Sequence, residues 1–163
     1  KIQNIARAGG EAVLNAAQGN LEGWSMVNTK AGFYKPHSIQ FLGVQAVDLK
    51  SFPITDYFHE AADWIENIIK SGGVVFVHGP GKKGGRKIEA EWFNPQIYNF
   101  QGISRSATII LAYLIIKKNM RLQDAITALK KHRSIAPNEG FMLQLIELND
   151  DVHKLLKTST IQK

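Results

Sequence analysis

Residues 107–116 form the longest greasy run of the chain, ten residues long. A bilayer span needs about 20 such residues, so the run predicts a helix buried inside a folded domain. The helix is expected over residues 104–118. Lys117 and Lys118 occupy its last turn, where the helix dipole favours cations, and Asn119 is a stop. Such a helix needs covering, and the sequence supplies amphipathic partners. Leu122, Ala125, Ile126 and Leu129 share one face. Pro137-Asn138 opens a further helix with Phe141, Leu145, Leu148, Val152 and Leu155 in register. Upstream, Thr55 or Asp56 can cap a helix reaching Lys70, with Phe58, Ala61, Ala62, Ile65, Ile68 and Ile69 on one side and Ser71-Gly72-Gly73 ending it.

Strand signals come earlier. Residues 11–16 are β-prone and precede the turn signal Gly19-Asn20. Residues 39–47 read as a buried strand with Asp48 at its carboxyl end. Residues 74–77 are wholly apolar, as a central parallel strand would be. Residues 19–38 read as loop. Residues 79–101 begin with GPGKKGGRK, show no period, and are expected to be an irregular insertion; residues 158–163 are expected to be a frayed tail. Strands early and helices late predict one α/β or α+β domain over residues 1–157.

The chain of 163 residues is 44% hydrophobic and 21% charged, which excludes collagen-like and wholly disordered classes. Its net charge of +6 is dispersed, with five Lys/Arg in residues 1–50, five in 51–100 and ten in 101–163. The field favours an anionic partner, but no aromatic-basic interleaving accompanies it, so neither nucleic acid nor membrane is an expected partner. No signal peptide is visible, and a start at Lys1 suggests a fragment. Cysteine is absent, so no disulfide, thiolate metal site or thiol nucleophile can exist. His37, His59, His132 and His153 lack metal-ligand spacing, and no cofactor is expected.

The pentapeptide Gly102-Ile103-Ser104-Arg105-Ser106 stands directly before the buried helix. Backbone N–H groups at a helix N-terminus favour an anion, and an arginine fork matches two phosphate oxygens. An equally good reading makes Ser104 or Ser106 a simple cap and Arg105 a surface residue. GPGKKGGRK has the glycine spacing of a nucleotide-binding loop at Gly79 and Gly84, but Gly85-Arg86 stands where Lys and Ser or Thr are required, so a polar linker is favoured.

Six collinear blocks break the tie: VLNAAQG (13–19), FLGVQAVD (41–48), YFHEAADWI (57–65), VVFVH (74–78), GISRSATIILAYLI (102–115) and HRSIAPNEGF (132–141). In this order the chain resembles the small, vaccinia-H1-related dual-specificity protein phosphatases. The resemblance implies an α/β, cysteine-phosphatase-like fold: a central twisted sheet flanked by helices, with a phosphate loop between a buried strand and a helix. It also implies dephosphorylation of phosphotyrosine and phosphoserine or phosphothreonine in proteins, and a cytoplasmic or nuclear setting. The family signature is H-C-x-x-G-x-S-R followed by Ser or Thr. By that resemblance His78 matches the signature histidine, Gly102, Ile103, Ser104, Arg105 and Ser106 the phosphate-binding loop, Arg105 the phosphate clamp, Ser106 the hydroxyl that assists release, and Asp48 the general acid. Phe33, Tyr34 and Asn138 fall in regions that border the family's pocket.

The nucleophile is missing in either register: Gly79 follows His78, and Asn99 stands three residues before Gly102. Ser104 is a poor substitute, being un-ionised near neutral pH and without a visible paired base. Lengthening the loop roughly fourfold costs only about 1–1.5 kcal/mol of closure entropy, so the fold is expected to survive. The expectation is a pseudophosphatase that binds a phosphoprotein or another protein partner such as a kinase. The alternatives are an active phosphatase in a splice or gene-model form that retains the cysteine, and a scaffold that docks through residues 79–101, where Trp92 and Phe93 lie.

Overall fold

The computed structural model describes residues 11–15, 34–78, 97–100 and 103–161. Strand β1 is Glu11–Asn15 and β2 is Ile39–Gly43. Helix α1 is Phe58–Lys70, and β3 is Val74–His78. Strand β4 is Ile97–Phe100. Helices α2, α3 and α4 are Arg105–Lys118, Leu122–Lys130 and Glu139–Ile161. Among the described residues the strands form one sheet in the order β2-β1-β3-β4, every pair parallel.

Strand β3, apolar over residues 74–77, is central, as that composition favours. It lies between β1, with Asn15 opposite His78, and β4, with Phe100 opposite His78. Val75 and Val77 point into the main core, where Phe58, Ile65, Ile110, Tyr113, Leu129 and Phe141 are also buried. Phe76 points the other way, into a smaller cluster with Tyr34, Ile39 and Phe41. Helix α2 is buried along its whole length from Ser106 to Ile115, and it packs against α1, α3 and α4. None of the helices described is long and apolar enough to cross a membrane.

Four expectations are corrected. The strand expected over residues 39–47 ends at Gly43, because its partner β1 ends at Asn15 opposite it. Beyond Gly43 the chain turns through tight contacts, Ala46 N–H to the Val44 carbonyl and Leu49 N–H to the Val47 carbonyl. The insertion expected to be irregular over residues 79–101 contains β4. A parallel strand beside β3 gives partners to backbone groups that would otherwise be left on an open edge, and Ile, Tyr and Phe suit that role. Consequently the strand that precedes α2 in the chain is β4, not the buried β3. The tail expected from residue 158 is helical to Ile161, since each residue added to an established helix gains a backbone hydrogen bond. Gly79, the GPGKKGGRK segment, Trp92, Phe93 and Gly102 lie outside the described residues, as do Phe33 and the Gly19-Asn20 turn.

One polar cluster fastens α1 to α2. The buried Tyr113 donates its hydroxyl proton to Glu66 Oε2 at 2.9 Å, and Lys118 Nζ reaches the same oxygen at 2.8 Å. The Lys118 hydrogen bond, with help from the Tyr113 hydroxyl, holds the Glu66 carboxyl below the usual carboxylate range. The native state therefore binds that proton less readily than the unfolded chain. The associated stability is complete above the unfolded value, about pH 4.3, and is lost as pH falls through the lower folded value. Urea denaturation from about pH 6 to about pH 3 is expected to show a steeper acid loss than in Glu66→Gln. Equal slopes in the two proteins would remove Glu66 from the acid sensitivity.

Candidate functional site

Asp48, Ser104, Arg105 and Asn138 meet at the carboxyl-end side of the sheet, where open α/β folds place their ligands. Asp48 is in the turn beyond β2, Ser104 and Arg105 open α2, and Asn138 precedes α4. Ser104 Oγ donates to Asp48 Oδ1 at 2.8 Å. Asn138 Nδ2 donates to the same oxygen at 2.8 Å, and the Asn138 backbone N–H donates to Ser104 Oγ at 3.1 Å. Arg105 Nε lies 3.6 Å from Asp48 Oδ2, while Arg105 Nη1 donates to the Ala46 carbonyl at 3.0 Å.

Arg105 belongs to the chemistry of this cluster rather than to the surface. Its side chain is 12% exposed against 38% for Asp48. Burial pulls its pKa down and the Asp48 charge pushes it back up, so the guanidinium stays charged near neutral pH. Such a group, largely out of water at a helix N-terminus, is well suited to hold an oxyanion.

The serines act differently from simple caps. Ser104 occupies the N-cap position of α2, but its hydroxyl makes no cap bond and turns to Asp48 instead. Its carbonyl accepts both the Thr108 backbone N–H and the Thr108 hydroxyl at 2.9 Å. The base that the sequence did not reveal is thus Asp48. That carboxylate also receives the Asn138 amide and faces Arg105, so both of its oxygens are already engaged. Ser106 is fully buried in the first turn and so cannot cap from outside. Ile103 is 55% exposed at the rim, and its carbonyl accepts the Ala136 backbone N–H at 2.8 Å.

His78 ends β3 with its ring 5.3 Å from that of Phe76, and burial lowers its pKa. Partly buried beside Phe76, its ring is biased toward the neutral form. Asn99 lies inside β4, paired with Val77, so the backbone there is extended rather than curled into an anion cradle. Only residues 101–104 remain between that strand and α2. Tyr34 packs in the smaller core, stacked on Phe41 at 4.9 Å.

Three contributors were missed by sequence reasoning: Ala46, Gly140 and Gln144. Gln144 accepts the Thr55 backbone N–H at 3.1 Å and donates to the Phe52 carbonyl at 2.9 Å. Gly140 sits so close to Lys50 that an added Cβ would fall 1.8 Å from the Lys50 oxygen. Both fasten the Asp48 loop to α4. A glycine in the first turn of a helix, followed four residues later by a glutamine among apolar neighbours, was the available signal. No group of three or more His, Asp or Glu that could hold a metal ion occurs among the described residues.

A largely buried arginine at a helix N-terminus, beside an aspartate from the turn after a parallel strand, is set in an α/β domain whose fold has known counterparts. Residues 96–151 match the family model "Dual specificity phosphatase, catalytic domain". A point variant of human DUSP28 superposes with a TM-score of 0.66 at 21% identity, covering 94% of this chain and 84% of that one. A mouse dual specificity phosphatase complexed with zinc tungstate gives 0.62 at 19% identity, covering 91% and 75%. Human tyrosine phosphatase-like serine/threonine/tyrosine-interacting protein gives 0.56 at 21% identity, covering 85% and 76%. The fold is that of the dual-specificity phosphatases, in a chain without cysteine.

Proposed function

We propose that this chain is a pseudophosphatase, a dual-specificity-phosphatase domain that binds a phosphorylated protein and does not hydrolyse it. The observation that carries the reading is Arg105, largely buried and charged in the first turn of α2, in a chain whose sequence contains no cysteine. Phosphoester cleavage in this fold class needs a thiolate, and neither Gly79 nor Asn99 supplies one. Asp48 alone does not replace it, since acid catalysis contributes only about 10²–10⁴-fold. Phosphate binding needs much less. The fork of Arg105 and the uncapped N-terminus of α2 are the groups that a tetrahedral dianion would use. The partner is a phosphoprotein, such as a kinase carrying its own phosphorylated loop, met in the cytoplasm or nucleus.

Two measurements test this. The full chain is expected to turn over para-nitrophenyl phosphate no faster than a buffer blank, and to bind tungstate or a phosphopeptide. Arg105→Ala should weaken that binding by roughly 10-fold to 100-fold, the worth of a hydrogen-bonded charge pair. Turnover that disappears in Arg105→Ala would end the pseudophosphatase reading. Asp48 and Ser106, still in place at the family's acid and hydroxyl positions, favour a second reading: another form of this protein carries the cysteine and is the active phosphatase. A transcript encoding His-Cys at positions 78–79 would establish it.

A further inference from the structure

Asp48 is placed like a ligand. One carboxylate oxygen takes two donors, the Ser104 hydroxyl and the Asn138 side-chain amide, each at 2.8 Å. The other faces Arg105 Nε at 3.6 Å. A guanidinium, a hydroxyl and an amide N–H are the donors that a phosphate oxyanion would seek at this helix N-terminus. With no thiol below it, Asp48 has no leaving group to protonate, and what remains is an anion resting on the clamp.

The loop that carries Asp48 is held from behind. The Lys50 carbonyl closes on Gly140 without room for a side chain, Lys50 and Glu139 form an ion pair, and Gln144 bridges Thr55 and Phe52. Asn138 ties the two arrangements together, because its Oδ1 accepts the Phe141 N–H at 3.0 Å while its amide holds Asp48. The start of α4 thus presses the carboxylate onto Arg105.

We infer that Asp48 is an internal occupant of the Arg105 site, so that a phosphorylated partner binds by displacing it. The inference rests on the phosphate-binding reading above and adds its regulation: whatever draws the 48–55 loop off α4 opens the clamp.

Tungstate titration of the full chain, followed by calorimetry and by backbone amide NMR, tests the inference. Asp48→Asn keeps the shape but removes the charge facing Arg105, and should bind tungstate on the order of tenfold more tightly, equivalent to about 1.4 kcal/mol. Gly140→Ala keeps the Asp48 side chain but pushes Lys50, and with it the loop that carries Asp48, off α4, and should also tighten binding severalfold. In the unsubstituted chain tungstate should shift the amides of residues 48–55 and 139–144 together with those of 103–106. In Asp48→Asn only the last group should move strongly. Tungstate bound equally by both proteins and lost in Arg105→Ala would overturn self-occupation and leave phosphate binding standing. A 48–55 loop unmoved by bound tungstate would do the same. No binding to either protein would overturn both.

Discussion

Replacing residues 79–101 by one cysteine and two small residues is expected to convert this chain into a phosphatase. The exchange joins His78 at the end of the central strand to Gly102 through three residues, and it restores the family signature on a single stretch of backbone. Arg105 is already charged and largely buried, and Asp48 already stands above it, 3.6 Å from Nε. The thiolate would sit at the foot of α2, where the helix dipole and Arg105 lower its pKa. Para-nitrophenyl phosphate turnover should rise about 10⁶-fold over the blank, the low end of enzymatic acceleration. Gly79→Cys alone should stay at the blank, because residues 80–101 still stand between it and Gly102 in the sequence, so the signature is not restored on one stretch. Asn99→Cys should stay there too, since residue 99 is held extended in β4 opposite Val77. A folded excision variant without turnover would show that the rest of the site cannot perform the chemistry.

Phe141→Ala carries the other large effect, and it falls on stability. Phe141 is fully buried between α4 and the core around α2. Truncation should cost about 3–5 kcal/mol, through lost transfer energy and the cavity left behind. Against a total of about 5–15 kcal/mol for a typical domain, that leaves a marginal fold. The loss should spread to the site, because the Phe141 N–H is the group that orients Asn138, and Asn138 holds Asp48. Phe141→Leu keeps most of the volume and should cost less than about 1.5 kcal/mol. Urea midpoints of the two variants check both figures, and a Phe141→Ala loss under 1 kcal/mol would mean that the start of α4 is not part of the main core.

The two results separate chemistry from architecture. The first asks whether a cysteine on an uninterrupted loop is all that the proposed pseudophosphatase lacks. The second asks whether the element that presses Asp48 onto Arg105 also holds the domain together. The sequence was informative about both to different degrees. Helix α2 was legible from residues 107–116 alone, because an apolar run of that length has nowhere to go but inside. Strand β3 was legible for the same reason. The end of β2 at Gly43 was not, because a strand stops where its neighbour stops, and β1 lies 28 positions away in register. Strand β4 was hidden in a segment whose first half is rich in glycine and lysine.

At the site, Arg105, Ser104 and Asp48 could be named from motif positions, and their separate chemical capacities follow from residue type. Their mutual arrangement could not be read, since the Ser104–Asp48 and Asn138–Asp48 hydrogen bonds span 56 and 90 positions of chain. The amino-acid order therefore decided by itself which helices and central strand would form, and that no thiol chemistry was open to the protein, because both follow from local periodicity and residue inventory. Only the tertiary structure decided that Asp48 would lie beside Arg105, that the Ser104 hydroxyl would turn to Asp48 rather than cap α2, and that a strand would form over residues 97–100, because each depends on which distant backbone closes against which.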